Sequence, residues 1–354
     1  MNVCIIGDGL AGLTLAKALV NQGIYVELFS SSKNNYLNES RTLGISKANV
    51  DFINKKILNI EKILWDIKKI EIYSENLQNE VLLNFEKKTK LFSIIKNNQF
   101  YKILISELKK SNYFKKINDN RKIVNKNYKL IINCDKNSLF TKKYFSKKLN
   151  KDYKSYAHTT IIEHKKLLKN NIASQIFTKI GPLAFLPISE EKTSVIYSIR
   201  GSKNINLEKL IKKYNTKYSI SKINPISIFE LKSVNLRNYY FENILAFGDL
   251  LHKIHPLAGQ GFNMTLRDIE SLLNLIVFRL DHGLDLDSSI CVDFEKKTKH
   301  KNYLFSQGID FIYEFFKIES KTNNQILGKT VQYIAKNKFA NKFFTEIANN
   351  GIVI

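Results

Sequence analysis

The chain has 354 residues, enough to bury a large core and to form about two domains. Its 44% hydrophobic content and four prolines suit an ordinary globular protein, and no apolar run reaches the roughly 18 residues needed to span a bilayer. The formal charge of +24 comes almost wholly from lysines scattered among apolar residues, so it reads as solvated faces and argues against a nucleic-acid surface.

In chain order, residues 2–6 read as a strand, and a helix follows with Leu10, Leu13, Ala16, Leu19 and Val20 at helical spacing. Gly23 ends that helix, and residues 25–29 form a second strand, which completes a βαβ unit. Residues 41–65 are expected to be helical. Alternation then takes over around Ile70, Ile72 and Tyr73 and again over 81–85, as in an antiparallel insertion. A helix is expected over 100–108, a buried strand over 129–134, and strands through 158–200, including 175–178, 184–187 and 193–200. Residues 244–247 form a short strand, and from Thr265 onward the periodicity is helical. No internal repeat or low-complexity linker occurs, so the domains should be interleaved. Met1 leads straight into a strand, which leaves no room for a signal peptide and favours a cytoplasmic protein. The three distant cysteines, Cys4, Cys134 and Cys291, read as reduced, buried thiols.

Two segments carry the chemistry. Gly7-x-Gly9-x-x-Gly12, with Leu10 and Ala11 between, follows a strand and opens a helix. Its first glycine permits a tight turn, its second lets the backbone approach a pyrophosphate, and its third brings helix and strand together. The end of the second strand, where an acid would grip ribose hydroxyls, holds Ser30, and Glu27 alternates onto the other face. Asp8 adds a negative charge close to where phosphates would lie. No second glycine fingerprint occurs, which disfavours enzymes with two dinucleotide domains. The other segment, residues 248–263, sets Asp249 at a strand end and Gly259 and Gly261 at a helix start. Such a turn aims one carboxylate and several backbone N–H groups at a single polar ligand. Together the two segments point to a bound dinucleotide, with flavin the best fit. His252 and His255 stand three apart with no third ligand, so no metal site is expected; turn histidines, or groups bonded near a cofactor, account for them. No Ser-His-Asp or Cys-His constellation is evident.

Gly248-Asp249 through Asn263, with Arg267-Asp268 beyond, resembles the flavin-ribityl motif of the class A FAD-dependent aromatic monooxygenases. The stretch 255–263, His-Pro-Leu-Ala-Gly-Gln-Gly-Phe-Asn, resembles the ubiquinone-biosynthesis hydroxylase branch most closely. Arg41-Thr42-Leu43-Gly44-Ile45-Ser46 and the segment from Phe177 to Pro187 also resemble blocks of that branch. The family's central Asp-Gly motif should fall at Asp135-Lys136-Asn137-Ser138, where lysine replaces glycine and Lys142 or Lys143 stands in place of arginine.

The resemblance implies an α/β fold: a Rossmann-type FAD-binding domain (1–65, 97–147 and 238–304), an inserted mixed β-sheet substrate domain (66–96 and 148–237), and a C-terminal helical region (305–354). It further implies FAD as cofactor, NAD(P)H as co-substrate, and oxygen added at flavin C4a and passed to a phenolic ring on a polyprenylated ubiquinone precursor. Gly7, Gly9, Leu10, Ala11, Gly12, Ser30, Arg41, Asp249, Gly261, Phe262 and Asn263 would then bind the cofactor. Pro256, Gly259, Gln260 and Gly261 would line the reacting ring. A non-catalytic flavin-binding accessory protein, another FAD-dependent oxidoreductase and a plain NAD-dependent dehydrogenase remain as alternatives. Residues 325–347 place Leu327, Val331, Ile334, Ala335, Phe339, Phe343 and Ile347 on one helical face; that basic amphipathic helix could rest on an anionic membrane or pack on the core.

Overall fold

The computed structural model describes residues 2–30, 40–77, 80–86, 89–118, 128–201 and 205–322, with 329, 333, 346 and 349–351. β1 (Asn2–Ile6), α1 (Leu10–Val20) and β2 (Tyr25–Phe29) form the expected βαβ unit, with β1 parallel to β2. β3 (Thr42–Ser46), α2 (Lys47–Lys56), β4 (Trp65–Ile67), β5 (Lys69–Ser74), β6 (Val81–Glu86) and β7 (Phe92–Lys96) follow. Next come α3 (Asn97–Lys109), β8 (Phe114–Ile117), β9 (Leu130–Asn133), α4 (Leu139–Tyr144) and β10 (Lys148–His164). The chain continues with β11 (Ile172–Thr178), β12 (Gly181–Pro187), β13 (Lys192–Arg200), α5 (Leu207–Tyr214), β14 (Ile220–Ile223) and β15 (Ser227–Leu236). β16 (Tyr240–Phe241), β17 (Ile244–Ala246), β18 (His252–Lys253), α6 (Gln260–Asp281) and α7 (Ser289–Thr322) complete it.

Among the described residues the strands form three sheets. One runs β16-β17-β9-β1-β2-β8, and all its pairings are parallel except β16 with β17. Its central strands are apolar along their length, as burial on both faces demands: Val3, Cys4, Ile5 and Ile6 of β1 are all buried. A larger mixed sheet runs β18-β15-β10-β13-β12-β11-β5-β6, with β14 paired to β10. A small sheet, β3-β7-β4, joins the two halves. Because β1, β9 and β17 lie side by side, the loops leaving their C-terminal ends all open on one edge, where ligands of open α/β sheets bind.

The expected helix over 41–65 is corrected. Residues 42–46 form β3, and only Lys47–Lys56 is α-helical before a short 3-10 turn at Glu61–Ile63. Pairing with β7, Thr42 opposite Lys96 through Ser46 opposite Phe92, overrides local helical periodicity there. Ser46 then caps α2 by accepting the Asn49 N–H. The antiparallel β5–β6 pair, α3, β9 and the strands of 158–200 lie where the sequence places them. The amphipathic pattern of 325–347 falls almost wholly outside the described residues.

Candidate cofactor site

The first glycine turn is shaped by the absence of side chains. Gly7 has φ +103°, and a Cβ there would sit 3.1 Å from the backbone nitrogen of Asp135 at the end of β9. A Cβ on Gly12 would lie 2.1 Å from the Gly7 carbonyl oxygen, so α1 can approach β1 only with glycine at 12. Gly9 is the extended residue before α1, and its carbonyl accepts the Leu13 N–H at 2.9 Å. Leu10 is buried beneath the turn.

Gly248 decides the geometry. It has φ +64°, and a Cβ there would stand 2.7 Å from the Ala11 Cβ. The turn after β17 therefore rests on the first turn of α1, 237 positions away in the chain by the residue numbers 248 and 11. Asp249 is exposed beside it. α1 and α6 both begin without a side-chain cap and without an acid in the first turn. Their leading N–H groups and positive dipole ends are thus free for a ligand. By contrast α2, α4 and α5 are capped by Ser46, Ser138 and Asn206.

At one end of the site Ser30 donates to Asp8 Oδ2 at 2.7 Å, and Lys116 of β8 reaches the same oxygen at 2.7 Å. Ser30 and Asp8 are buried, and the ammonium screens the carboxylate that the sequence left close to the phosphates. Glu27 points away into the core and accepts from the Tyr128 hydroxyl. Lys116 was missed in the sequence: it sits in the lysine-rich β8, with no motif to single it out.

At the other end Gly259 has φ +64° and would place a Cβ 3.6 Å from Gly44 of β3. Asn263 pins the loop there. Its amide donates to the Gly44 carbonyl at 2.9 Å and accepts from the Ser46 N–H at 2.9 Å and Asn49 Nδ2 at 2.8 Å. Asn263 thus spends its buried side chain on structure, and the surrounding backbone is what it positions. Phe262 packs edge-on against Phe100, with centroids 6.1 Å apart. Pro256 leads into this turn, Gly261 sits in the first turn of α6, and the buried Gln260 Oε1 has no hydrogen-bond partner among the described residues.

Between the two ends, the half-buried Lys253 amine lies in the combined field of Asp249, Lys136, Arg41 and Glu230, and burial holds its pKa below the usual lysine range. Arg41 is exposed, with its guanidinium carbon 5.9 Å from the Phe229 ring centre. Asp249 and Arg41 thus share the field at Lys253, and Gly248 joins the Asp249 turn to the start of α1. A cavity of about 530 Å³ opens beside Ser40, lined also by Lys96, Asn98, Glu163, Lys192 and Lys222, with Glu163 paired to Lys192 at 3.1 Å. None of the glycines lines it.

The two histidines part company. His252 Nε2 meets Asp268 Oδ2 at 2.5 Å, and Asn302 donates to the other carboxylate oxygen at 2.9 Å. His255 is buried between the rings of Tyr153 and Tyr313, and neither ring nitrogen has a hydrogen-bond partner among the described residues. Burial pushes its pKa down to about 3. No cluster of metal-ligating side chains occurs among the described residues.

Two glycine turns without side chains, two uncapped helix starts and an acid between them fit a dinucleotide laid along this edge. The p-nitrophenol 4-monooxygenase PnpA of Pseudomonas putida superposes with a TM-score of 0.79 over 99% of this chain and 98% of that one, at 11% identity. The fold is that of the class A FAD-dependent monooxygenases. The sequence relatives are ubiquinone-biosynthesis monooxygenases. The ubiquinone biosynthesis monooxygenase COQ6 of Schizosaccharomyces pombe is 23% identical over 274 residues, 63% of this chain and 57% of that protein. The 3-demethoxyubiquinol 3-hydroxylase of Escherichia coli is 28% identical over 152 residues, 40% of this chain and 39% of that protein. The chain thus matches less than two thirds of the length of these curated relatives. No family model matches it.

Proposed function

We propose that this chain binds FAD and hydroxylates a phenolic ring of a ubiquinone precursor, with NAD(P)H as reductant and O2 as oxygen donor. The observation that carries the reading is the meeting of Gly248 with Ala11, which turns two distant segments into one cradle. FAD held there supplies oxygen activation; the chain's residues bind, orient and exclude water. In this reading Gly7 to Gly12 lie along the pyrophosphate, and Ser30 with Asp8 meets the ribose. Asp249 accepts from the ribityl hydroxyls, and Arg41 neutralises phosphate charge. Pro256 and the turn Gly259–Gly261 face the reacting ring, with Phe262 and Asn263 fixing that turn from behind. The uncapped start of α6 supplies N–H donors and a positive dipole end where negative charge develops, worth about 0.3–1 kcal/mol and up to ~2 when partly buried.

The domain division follows the same reading: the six-stranded sheet carries the cofactor, and the large mixed sheet faces the substrate. The cavity beside Ser40, where Lys96 and Lys222 stand beyond the Lys192–Glu163 pair, would take the anionic half of NAD(P)H. No described helix is long and apolar enough to cross a membrane. A polyprenylated substrate would bring the protein to the membrane surface as a peripheral partner. A second reading, a flavin-binding accessory protein without turnover, is favoured by Lys136, which stands where the resemblance expects glycine. Anaerobic mixing of the flavin-loaded chain with NADPH and NADH, with and without a prenylated phenol, separates the two. Bleaching of flavin absorbance followed by a hydroxylated product on adding oxygen supports the monooxygenase; retained flavin with no reduction under any condition supports the accessory role.

A further inference from the structure

Arg267, on the second turn of α6, has a guanidinium whose two terminal nitrogens are buried and have no hydrogen-bond partner among the described residues. A buried charge without donors satisfied is costly, and native structures rarely leave one so. The group is held firmly. Its centre lies 4.7 Å from the Phe305 ring centroid on α7, and Gly351 covers Nε and Cζ so closely that a Cβ there would come within 2.9 Å. Burial also draws its pKa down, to about 10.

Asp268, the adjacent carboxylate, does not neutralise it by contact, because its two oxygens are taken by His252 and Asn302. Arg267 borders a cavity of about 200 Å³ between α6, α7 and residues 350–351. Lys297 and Lys301, one helical turn apart on α7, border the same cavity, and Ser271 adds a hydroxyl. Glu270 and Asp268 are the carboxylates that line it. The guanidinium fork suits two oxygens of an anion, and the lysines take the remaining ones. A phosphate group can give each cation an oxygen of its own, whereas a carboxylate must share its two.

We propose that the cavity between α6, α7 and residues 350–351 is a binding site for a phosphate-class oxyanion, held by Arg267, Lys297 and Lys301. The site lies on α6, the helix that begins at Gln260, and an occupant would brace its second turn against α7.

The test uses the full chain loaded with flavin. Titration calorimetry with inorganic phosphate, against chloride at equal ionic strength, should give saturable binding at a single site. The pair Lys297→Gln (exposed) with Lys301→Gln (half-buried) should weaken that binding about tenfold or more, with the melting temperature in chloride unchanged. Arg267→Lys, which keeps the charge and removes the fork, should weaken it as well. Co-sedimentation with phosphatidylcholine vesicles carrying phosphatidic acid tells the source apart. Retention lost in these variants assigns a lipid headgroup, and calorimetric binding without retention assigns a soluble phosphate. A phosphate response equal to that of chloride and no vesicle retention, or binding indifferent to all three substitutions, would overturn the proposal.

Discussion

In the proposed reading, the ribose end of the cleft is held by Ser30, Asp8 and Lys116, which come from three different strands or turns and meet through a single carboxylate oxygen. The ring end is made by Gly259, Gly44 and Asn263, with backbone facing the cleft and side chains turned to the scaffold. One end is set by charge, the other by shape. A charged triad tolerates exchange of its members as long as the balance is kept. At Gly259 the positive φ of +64° favours glycine, since a Cβ there would meet Gly44 only at an ordinary 3.6 Å.

If shape rules where backbones meet, Gly12→Ala should have the largest effect. Its Cβ would fall 2.1 Å from the Gly7 carbonyl oxygen, which neither backbone can avoid without separating helix from strand. The cost should be roughly 3 kcal/mol or more in urea unfolding, with flavin lost. A variant within about 1 kcal/mol of wild type would show that the turn yields.

Asn263→Ala comes next. It strips the buried Ser46 N–H and Gly44 carbonyl of their partners, at about 1–3 kcal/mol for each group left unsatisfied. Both unfolding midpoint and FAD affinity should fall together, since β3 and the start of α6 are no longer tied. Loss of stability with full FAD affinity would mean that the backbone holds its shape unaided.

The ribose end supplies the smaller number. Lys116→Met leaves Asp8 buried without its cation, yet the lysine is about a quarter exposed (26%), so water takes up part of the loss. A cost of about 1–2 kcal/mol is expected, and Asp8→Asn in the same chain should recover part of it. No recovery in the double variant would count against a charge-set ribose end.

His255 sharpens the ring end. Burial holds it neutral down to about pH 3, whereas in the unfolded chain it titrates near 6.5. The unfolded state therefore binds the extra proton between those values. The stability it contributes is present above about pH 6.5 and is lost as pH falls toward 3, by at most about 1.4 kcal/mol per pH unit. His255→Phe should flatten that acid slope in denaturant melts; an unchanged slope would assign the acid sensitivity elsewhere.

Legibility follows the same division. The βαβ unit, both glycine turns and α6 could be read because their glycines mark positions where a side chain would collide, at Gly7, Gly12 and Gly248, or where φ is positive, at Gly259. β3 could not, since five residues that pair with β7 carry no period long enough to distinguish strand from helix. Lys116 was invisible because its role depends on β8 pairing with β2, and its neighbours offer many equivalent lysines. The bracing of Ser46 and Ala48 by Asn349 was equally hidden, because it joins parts of the chain 303 and 301 residues apart.

Titration of the flavin-free chain with FAD, read by quenching of flavin fluorescence, tests the central claim most directly. A single saturable site is predicted, and Asp249→Ala should weaken it about ten- to hundredfold while leaving the melting temperature of the unliganded protein unchanged, because the carboxylate is exposed and its work is on the ligand. No saturable FAD binding, or equal affinity in Asp249→Ala and wild type, would contradict the account.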